Sequence, residues 1–442
     1  MIESITYKPK PKFYTLNALR GYSAIFVVFY HMIENGQYLD PHYWPGWFKY
    51  FYDKEHMRVL IFFVISGTVI QLSNKVPLTL KTIPEYFKKR AIRIYPIYFI
   101  SLVAALIVTK VTYSYLTIAG NFTFLQVLFT DVILANGPVW TLHFEVLFYF
   151  LFVPISVFNI SPSKVFIFSV ILGFVNFFVY PAFGFVIITA YCFGFAFWIM
   201  GSFIVKHFPV DKDRPVNNRK LVSFLFLISA LPYLNELSVL IYKYSMKWYG
   251  KQLLFDFGGD INNWFKTAFT VYDFPYLPYC FMAIIIFTNR TVKYKTLIFW
   301  ILQLFPLFSL YSTYHRTHKI DVLAMAWPLT CYAASLLLLF TNFNIIERIA
   351  TKIINFLVWM GGVSYGMYII HGPILALFNR INFMSGTHTT FLIRMLGYFV
   401  LTFICAYLLE KKFHQWVTAY FNKAKKQQQP EQPVPAASDL LV

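Results

Sequence analysis

Runs of about 20 mostly apolar residues recur along this chain, and each is long enough to cross a bilayer as a helix. Inside lipid every backbone N–H and C=O must be satisfied within its own segment, which restricts such runs to helices or a closed barrel. They are continuous rather than alternating, so the helix is the form they take. The first covers Leu16 to Ile33 and the second Val59 to Leu72 and a little beyond. Others start near Ile94, Val139, Val165, Phe185, Leu221, Thr267, Thr296, Val322, Phe356 and Phe391. The expectation is an all-α, polytopic transmembrane helical bundle of roughly 10–12 spans, the lower count applying where two runs are interfacial or paired half-spans. Charged residues make up only 13% of the sequence, against about 25% in soluble proteins.

The net charge of +19 invites a nucleic-acid partner, but its distribution argues against one. Basic residues gather in short segments between apolar runs, as they do in cytoplasmic loops. Lys8, Lys10 and Lys12 precede the first run, and Lys81 through Arg93 follow the second. Both segments are expected on the cytoplasmic side, which puts 34–56 outside. Lys206 to Lys220, Arg290 to Lys295 and Glu347 to Lys352 fit the same alternation. The 242–265 stretch falls outside despite Lys243, Lys247 and Lys251, and its aromatic and Gly-Gly-Asp content suits a surface loop over a site.

The expected organisation is a basic cytoplasmic N-terminus (1–12), a transmembrane domain (13–412) and a tail (413–442). The tail is basic and then Gln/Pro-rich, with too little apolar content to fold, so it is expected to be disordered. The first run holds Arg20 and no small-x-small cleavage site, so it is expected to stay as a span. Cys192, Cys280, Cys331 and Cys405 lie in or beside apolar runs without CxxC spacing and suit buried positions.

Ionisable residues within spans are costly and mark function by default. Arg20 and His31 share the first run, about 16 Å apart along a helix and close to one face. A neutral histidine there can act as a base toward a hydroxyl; a snorkelling arginine with a boundary histidine is the competing reading. Arg90 and Arg93 stand three apart, a spacing that fits a pair of phosphate-binding forks or ordinary positive flanking of a span. Glu145 lies inside Trp140-Thr-Leu-His143-Phe-Glu145-Val-Leu-Phe-Tyr149 and needs a partner, for which His31, His143 or an arginine is the natural choice. A structural ion pair between helices is the alternative.

Leu19-Arg20-Gly21 through His31, Phe63-Val-Ile-Ser66-Gly67, Arg90-x-x-Arg93-x-Tyr95-Pro96, Trp140 through Tyr149, and Gly362-x-Ser364-Tyr365 through His371 occur in that order. Together they resemble the acyltransferase 3 family of membrane acyltransferases. The resemblance implies transfer of an acyl group, usually acetyl from acetyl-CoA, to a hydroxyl of a cell-envelope glycan. Lipopolysaccharide, O-antigen or a lipid-linked sugar are acceptors of that class. It implies His31, Arg20 and Glu145 as catalytic residues, and Arg90, Arg93, Ser66 and Tyr95 as binders of acyl-CoA. Trp140, Tyr149, Tyr365 and His371 are the corresponding candidates for contact with the acceptor. His143 departs from the small or aliphatic residue expected there, and Phe413 replaces the proline of a terminal Glu-basic-Pro pattern at Glu410. A fused SGNH domain is not expected.

With acyl-CoA on the cytoplasmic side and the glycan opposite, the implied setting is a bacterial inner membrane with both termini cytoplasmic. Glu145 would then orient or charge-balance His31, and Ser66 or a backbone N–H would hold the oxyanion. No metal is expected: His315 and His318 are three apart but have no acidic ligand beside them. The competing class is a proton-coupled secondary transporter using Arg20, His31 and Glu145 as a relay. The paired, broken spans of such transporters are not evident in the sequence.

Overall fold

The computed structural model describes residues 14–34, 36–51, 56–183, 186–213, 216–249 and 265–427. Among them the regular elements are helices, joined by turns and loops, with no strand. The principal helices are α1 (Tyr14–Glu34), α2 (His56–Ser73), α3 (Ile83–Val108), α4 (Trp140–Val157), α5 (Pro162–Phe183), α6 (Val186–His207) and α7 (Asn218–Ala230). They continue with α8 (Glu236–Tyr249), α9 (Leu277–Phe287), α10 (Lys295–Thr317), α11 (Ala326–Phe340), α12 (Asn344–Gly361), α13 (Ser364–Phe378), α14 (His388–Tyr407) and α15 (His414–Gln427).

Among the described residues, seven helical stretches are long and apolar enough to span a membrane, or up to eight if the bent pair α12–α13 is one span. That is fewer than the 10–12 expected from where apolar runs begin. Residues 271–287 and 326–340 are apolar but shorter. The bent pair turns by 69° between Gly361 and Ser364, so the run expected from Phe356 is two helices meeting at an angle.

Burial separates inner from outer helices. The apolar window of α6 is 72% buried and that of α2 61%, while α5 reaches only 22%. Ile167, Phe168 and Ile171 on α5 and Leu304, Leu307 and Phe308 on α10 are left exposed. An outward apolar surface of this kind is what lipid contact requires.

Glycines set the closest crossings. A Cβ on Gly67 of α2 would lie 1.8 Å from the Trp198 carbonyl oxygen, and one on Gly201 of α6 would lie 2.2 Å from that of Val64. The two backbones therefore touch, as small residues allow between membrane helices. Gly21 of α1 and Gly361 of α12 meet in the same way: a Cβ on Gly21 would lie 2.1 Å from the Leu357 carbonyl oxygen.

Two expectations change. The tail is not disordered from 413, because His414–Gln427 is helical. Trp416, Val417, Tyr420 and Phe421 recur at helical spacing; Val417 is buried and the other three stay exposed, an apolar stripe on a segment that reads as polar on average. Residues 428–442 lie outside the described residues. The 242–265 stretch is helical up to Tyr249, and 250–264 likewise lie outside them.

Gly67→Val and Gly201→Val should each lower the thermal midpoint in detergent by an amount equivalent to about 1–3 kcal/mol of overpacking. Ile167→Val, on the exposed face of α5, should stay within about 0.5 kcal/mol. Wild-type midpoints for both glycine variants would contradict the crossing.

Candidate active site

A cavity of about 280 Å³ lies between α1, α2, α3, α4 and α13. Arg20 enters it from α1, Ser66 from α2, Arg90 and Arg93 from α3, Glu145 and Tyr149 from α4, and Tyr365 and Tyr368 from α13. Arg90 and Arg93 therefore belong to a helix rather than a loop, because α3 starts at Ile83. One turn apart, both reach the cavity from one face.

Glu145 is held by two hydroxyls. Ser66 Oγ donates to its Oε1 at 2.7 Å and Tyr149 OH to the same oxygen at 2.5 Å. Trp198 Nε1–H donates in turn to Ser66 Oγ at 3.1 Å. The α2–α6 crossing at Gly67 brings that indole next to Ser66. Tyr149 follows Glu145 by one turn, so the carboxylate and its donor share a helix face. Of the partners expected for Glu145, it bonds to neither His31 nor His143, while an arginine, Arg20, lies in its electrostatic reach.

The three cavity arginines differ. Arg93 meets Glu410 in a two-pronged ion pair, with contacts of 2.6 and 3.0 Å. Arg90 lies over the Tyr86 ring, 5.6 Å from its centroid. Neither Arg90 nor Arg20 has a hydrogen-bonded acceptor among the described residues, and Nε of Arg90 is buried without one. Two guanidinium groups thus face open space in an otherwise apolar bundle.

His31 is not part of the cavity lining. Its ring lies 3.7 Å from Glu34 and stacks on His371, with centroids 5.1 Å apart. His371 is fully buried, and its ring is 6.0 Å from that of Tyr368, which does line the cavity. Arg20 and Ser364 mark one level of α1 and α13, and His31 and His371 another. The two helices run the same way, and Tyr368 and His371 bridge the cavity to the imidazole.

Two other candidates stand apart. Tyr95 is 39% exposed and packs near Phe99 and Phe124 on another face of α3. Trp140 is buried among Phe144, Phe265 and Phe269. His143, the departure noted in the sequence, places one ring nitrogen 2.6 Å from the Phe124 carbonyl oxygen and the other 2.6 Å from the Tyr191 hydroxyl. It ties α4 to α6 and to the chain before α4. Sequence reasoning missed Trp198: one aromatic in an apolar run carries no signal that its N–H faces a site.

Comparison with known proteins identifies the family. A family model described as an acyltransferase domain, Acyl_transf_3, matches residues 13–251, over half of the chain. The chain belongs to the acyltransferase 3 family. It is a multi-pass membrane acyltransferase. No curated protein and no solved structure gives a match. The match includes Arg20, His31, Ser66, Arg90, Arg93, Glu145 and Tyr149. Tyr365, His371 and Glu410 lie beyond it.

Ser66→Ala and Tyr149→Phe each remove one donor from the half-buried carboxylate and should destabilise the acyltransferase by about 1–3 kcal/mol, read as a thermal midpoint in detergent. In a Glu145→Gln background the same changes should cost less, because bonds to a charged acceptor are the stronger kind. Equal losses in both backgrounds would contradict the network.

Proposed function

We propose that this acyltransferase moves an acyl group, most simply acetyl, from acyl-CoA to a hydroxyl of a cell-envelope polysaccharide or lipid-linked sugar. The observation that carries the reading is the pair Arg20 and Arg90, two guanidinium groups without hydrogen-bonded acceptors facing one cavity. Forks of this type bind phosphate oxygens in pairs. The cavity is too small for a whole CoA but suits its slim pantetheine arm. The nucleotide end would stay at the basic, cytoplasmic face, and the thioester would point along α13 toward His31.

The chemistry is a single exchange. His31 takes the proton of the acceptor hydroxyl as its oxygen attacks the thioester carbonyl. The C–S bond then breaks, and the proton passes to the departing thiolate, giving the O-acyl sugar and free CoA. Glu145, braced by Ser66 and Tyr149, balances the charge of Arg20. Tyr365 and Tyr368 offer hydroxyl and ring surfaces to the substrates, and His371 buttresses the His31 ring. The acceptor enters from the His31 end, which corresponds to the outside of a bacterial inner membrane when the basic loops face the cytoplasm.

Membership of an acyltransferase family favours this reading over a proton-coupled transporter. Glu145 also bonds to hydroxyls rather than to His31.

The test uses purified protein in vesicles with labelled acetyl-CoA and envelope glycans. Wild type should label a glycan, and His31→Ala should abolish labelling while expression and thermal midpoint hold. Arg90→Gln should raise KM for the donor roughly 10-fold or more, the loss of a charge-assisted bond of about 1.5–3 kcal/mol. Full transfer by His31→Ala would overturn the catalytic assignment.

A further inference from the structure

Residues Leu408–Phe413, between α14 and α15, form a π-helical turn. Such turns interrupt α-helices rarely and re-aim the side chains they carry. Here Glu410 turns inward and is only 5% exposed. Its carboxylate accepts from both Nη atoms of Arg93 and, at 3.2 Å, from the backbone N–H of Gly366. Gly366 sits in the first turn of α13, where unpaired N–H groups favour an anion. A Cβ there would lie 3.1 Å from Glu410 Cγ and 2.9 Å from the Ala406 carbonyl oxygen. Glycine is what lets the carboxylate approach.

The next residue acts on the other side of the break. Lys411 brings its Nζ within 2.8 Å of where a Gly362 Cβ would stand. Gly362 caps the C-terminus of α12, where a cation is favoured. One π turn thus sets an acid on the start of α13 and a base on the end of α12, across the 69° bend.

The pairing also divides the arginines. Arg93 has its fork occupied and its guanidinium over the Tyr365 ring, 5.4 Å from the centroid. Tyr365 OH donates to the Ile94 carbonyl at 2.9 Å, which fastens α13 to α3 a second time.

We propose that Glu410 is a positioning residue that withdraws Arg93 from the anion-binding set, docks α13 on α3, and leaves Arg20 and Arg90 to meet the anionic donor. The identity of that donor rests on the acyl-CoA reading; the pairing itself does not. Within Arg90-x-x-Arg93, the first arginine then binds and the second builds.

The consequence runs against ordinary loss of function. Glu410→Gln frees a third guanidinium at the cavity, so CoA should bind roughly threefold tighter or more. At the same time kcat should fall, because α13 carries Tyr368 and His371 and is no longer clamped. Arg93→Gln should keep CoA affinity within about twofold and lower kcat, while Arg90→Gln should weaken affinity roughly tenfold. A double variant, Glu410→Gln with Arg93→Gln, leaves no unpaired charge and should recover part of the thermal midpoint lost by either single change.

Calorimetric titration of CoA into detergent-solubilised full-length protein, with acetyl-transfer kinetics and thermal midpoints on the same preparations, reads all of these. Unchanged or weaker CoA binding by Glu410→Gln overturns the proposal. So does Arg93→Gln losing affinity as Arg90→Gln does, and so do additive midpoint losses in the double variant. Should wild type bind no CoA, the acyl-CoA reading fails, and the midpoint cycle alone decides the pair. Should Glu410→Gln not fold, Arg93→Gln and the double variant decide it.

Discussion

A charge inside an apolar bundle must be paired, solvated by neighbouring dipoles, or turned toward open polar space. The arginines and Glu145 each meet one of these terms. Arg93 is matched by Glu410, and Glu145 by two hydroxyls. Arg394 spends its guanidinium on the carbonyls of Leu39, Phe378 and Phe383. Arg58, fully buried, lies against the rings of Tyr22 and Phe26. Arg20 and Arg90 take the third option, and the space they face is the cavity. The anion site proposed here is where positive charge has been left over.

Backbone packing puts that space where it is. Gly67 and Gly201 bring α2 onto α6, which delivers Trp198 to Ser66 and fixes one wall. Gly21 and Gly361 bring α1 onto α12, which carries the bend and α13 alongside α1. Arg20 and His31 then project at two levels of one helix, with α13 supplying Tyr368 and His371 between them. The residues that touch the proposed chemistry and the glycines that position them are different sets. Substitutions in the two sets should differ in signature, rate loss in one and unfolding in the other.

Much of this was legible in the sequence because the signals are local. Apolar runs announce helices, and Arg20, Arg90, Arg93 and Glu145 stand out as ionisable residues within or beside them; the structure brings all four to one cavity. What was not legible is pairing across the chain. Nothing in the sequence near Arg93 says that its partner is Glu410, 317 positions away, or that Trp198 donates to Ser66. The sequence left His31, His143 and an arginine open as partners of Glu145; hydroxyls at the right height bond to it, and Arg20 lies in its electrostatic reach. The span count differed because run starts reveal neither length nor mean hydropathy: 271–287, 326–340 and Asn218–Ala230 are shorter than a full crossing, and Tyr14–Glu34 is not among the candidate spans. The tail was read as unstructured from its average polarity, which hides the stripe of Trp416, Val417 and Tyr420.

Arg20 and Arg90 facing one cavity, with Tyr368 and His371 leading from it to His31, make the central claim spatial: the donor lies with its phosphates at the arginines and its thioester toward the imidazole. The most direct test is a structure of the protein with a non-hydrolysable acyl-CoA analogue bound in a lipid nanodisc. The account predicts phosphate density between Arg20 and Arg90, Arg93 still engaged by Glu410, and the acyl end beside Tyr368 on the path to His31. An analogue bound elsewhere, or one whose phosphates are held by Arg93 released from Glu410, would contradict it.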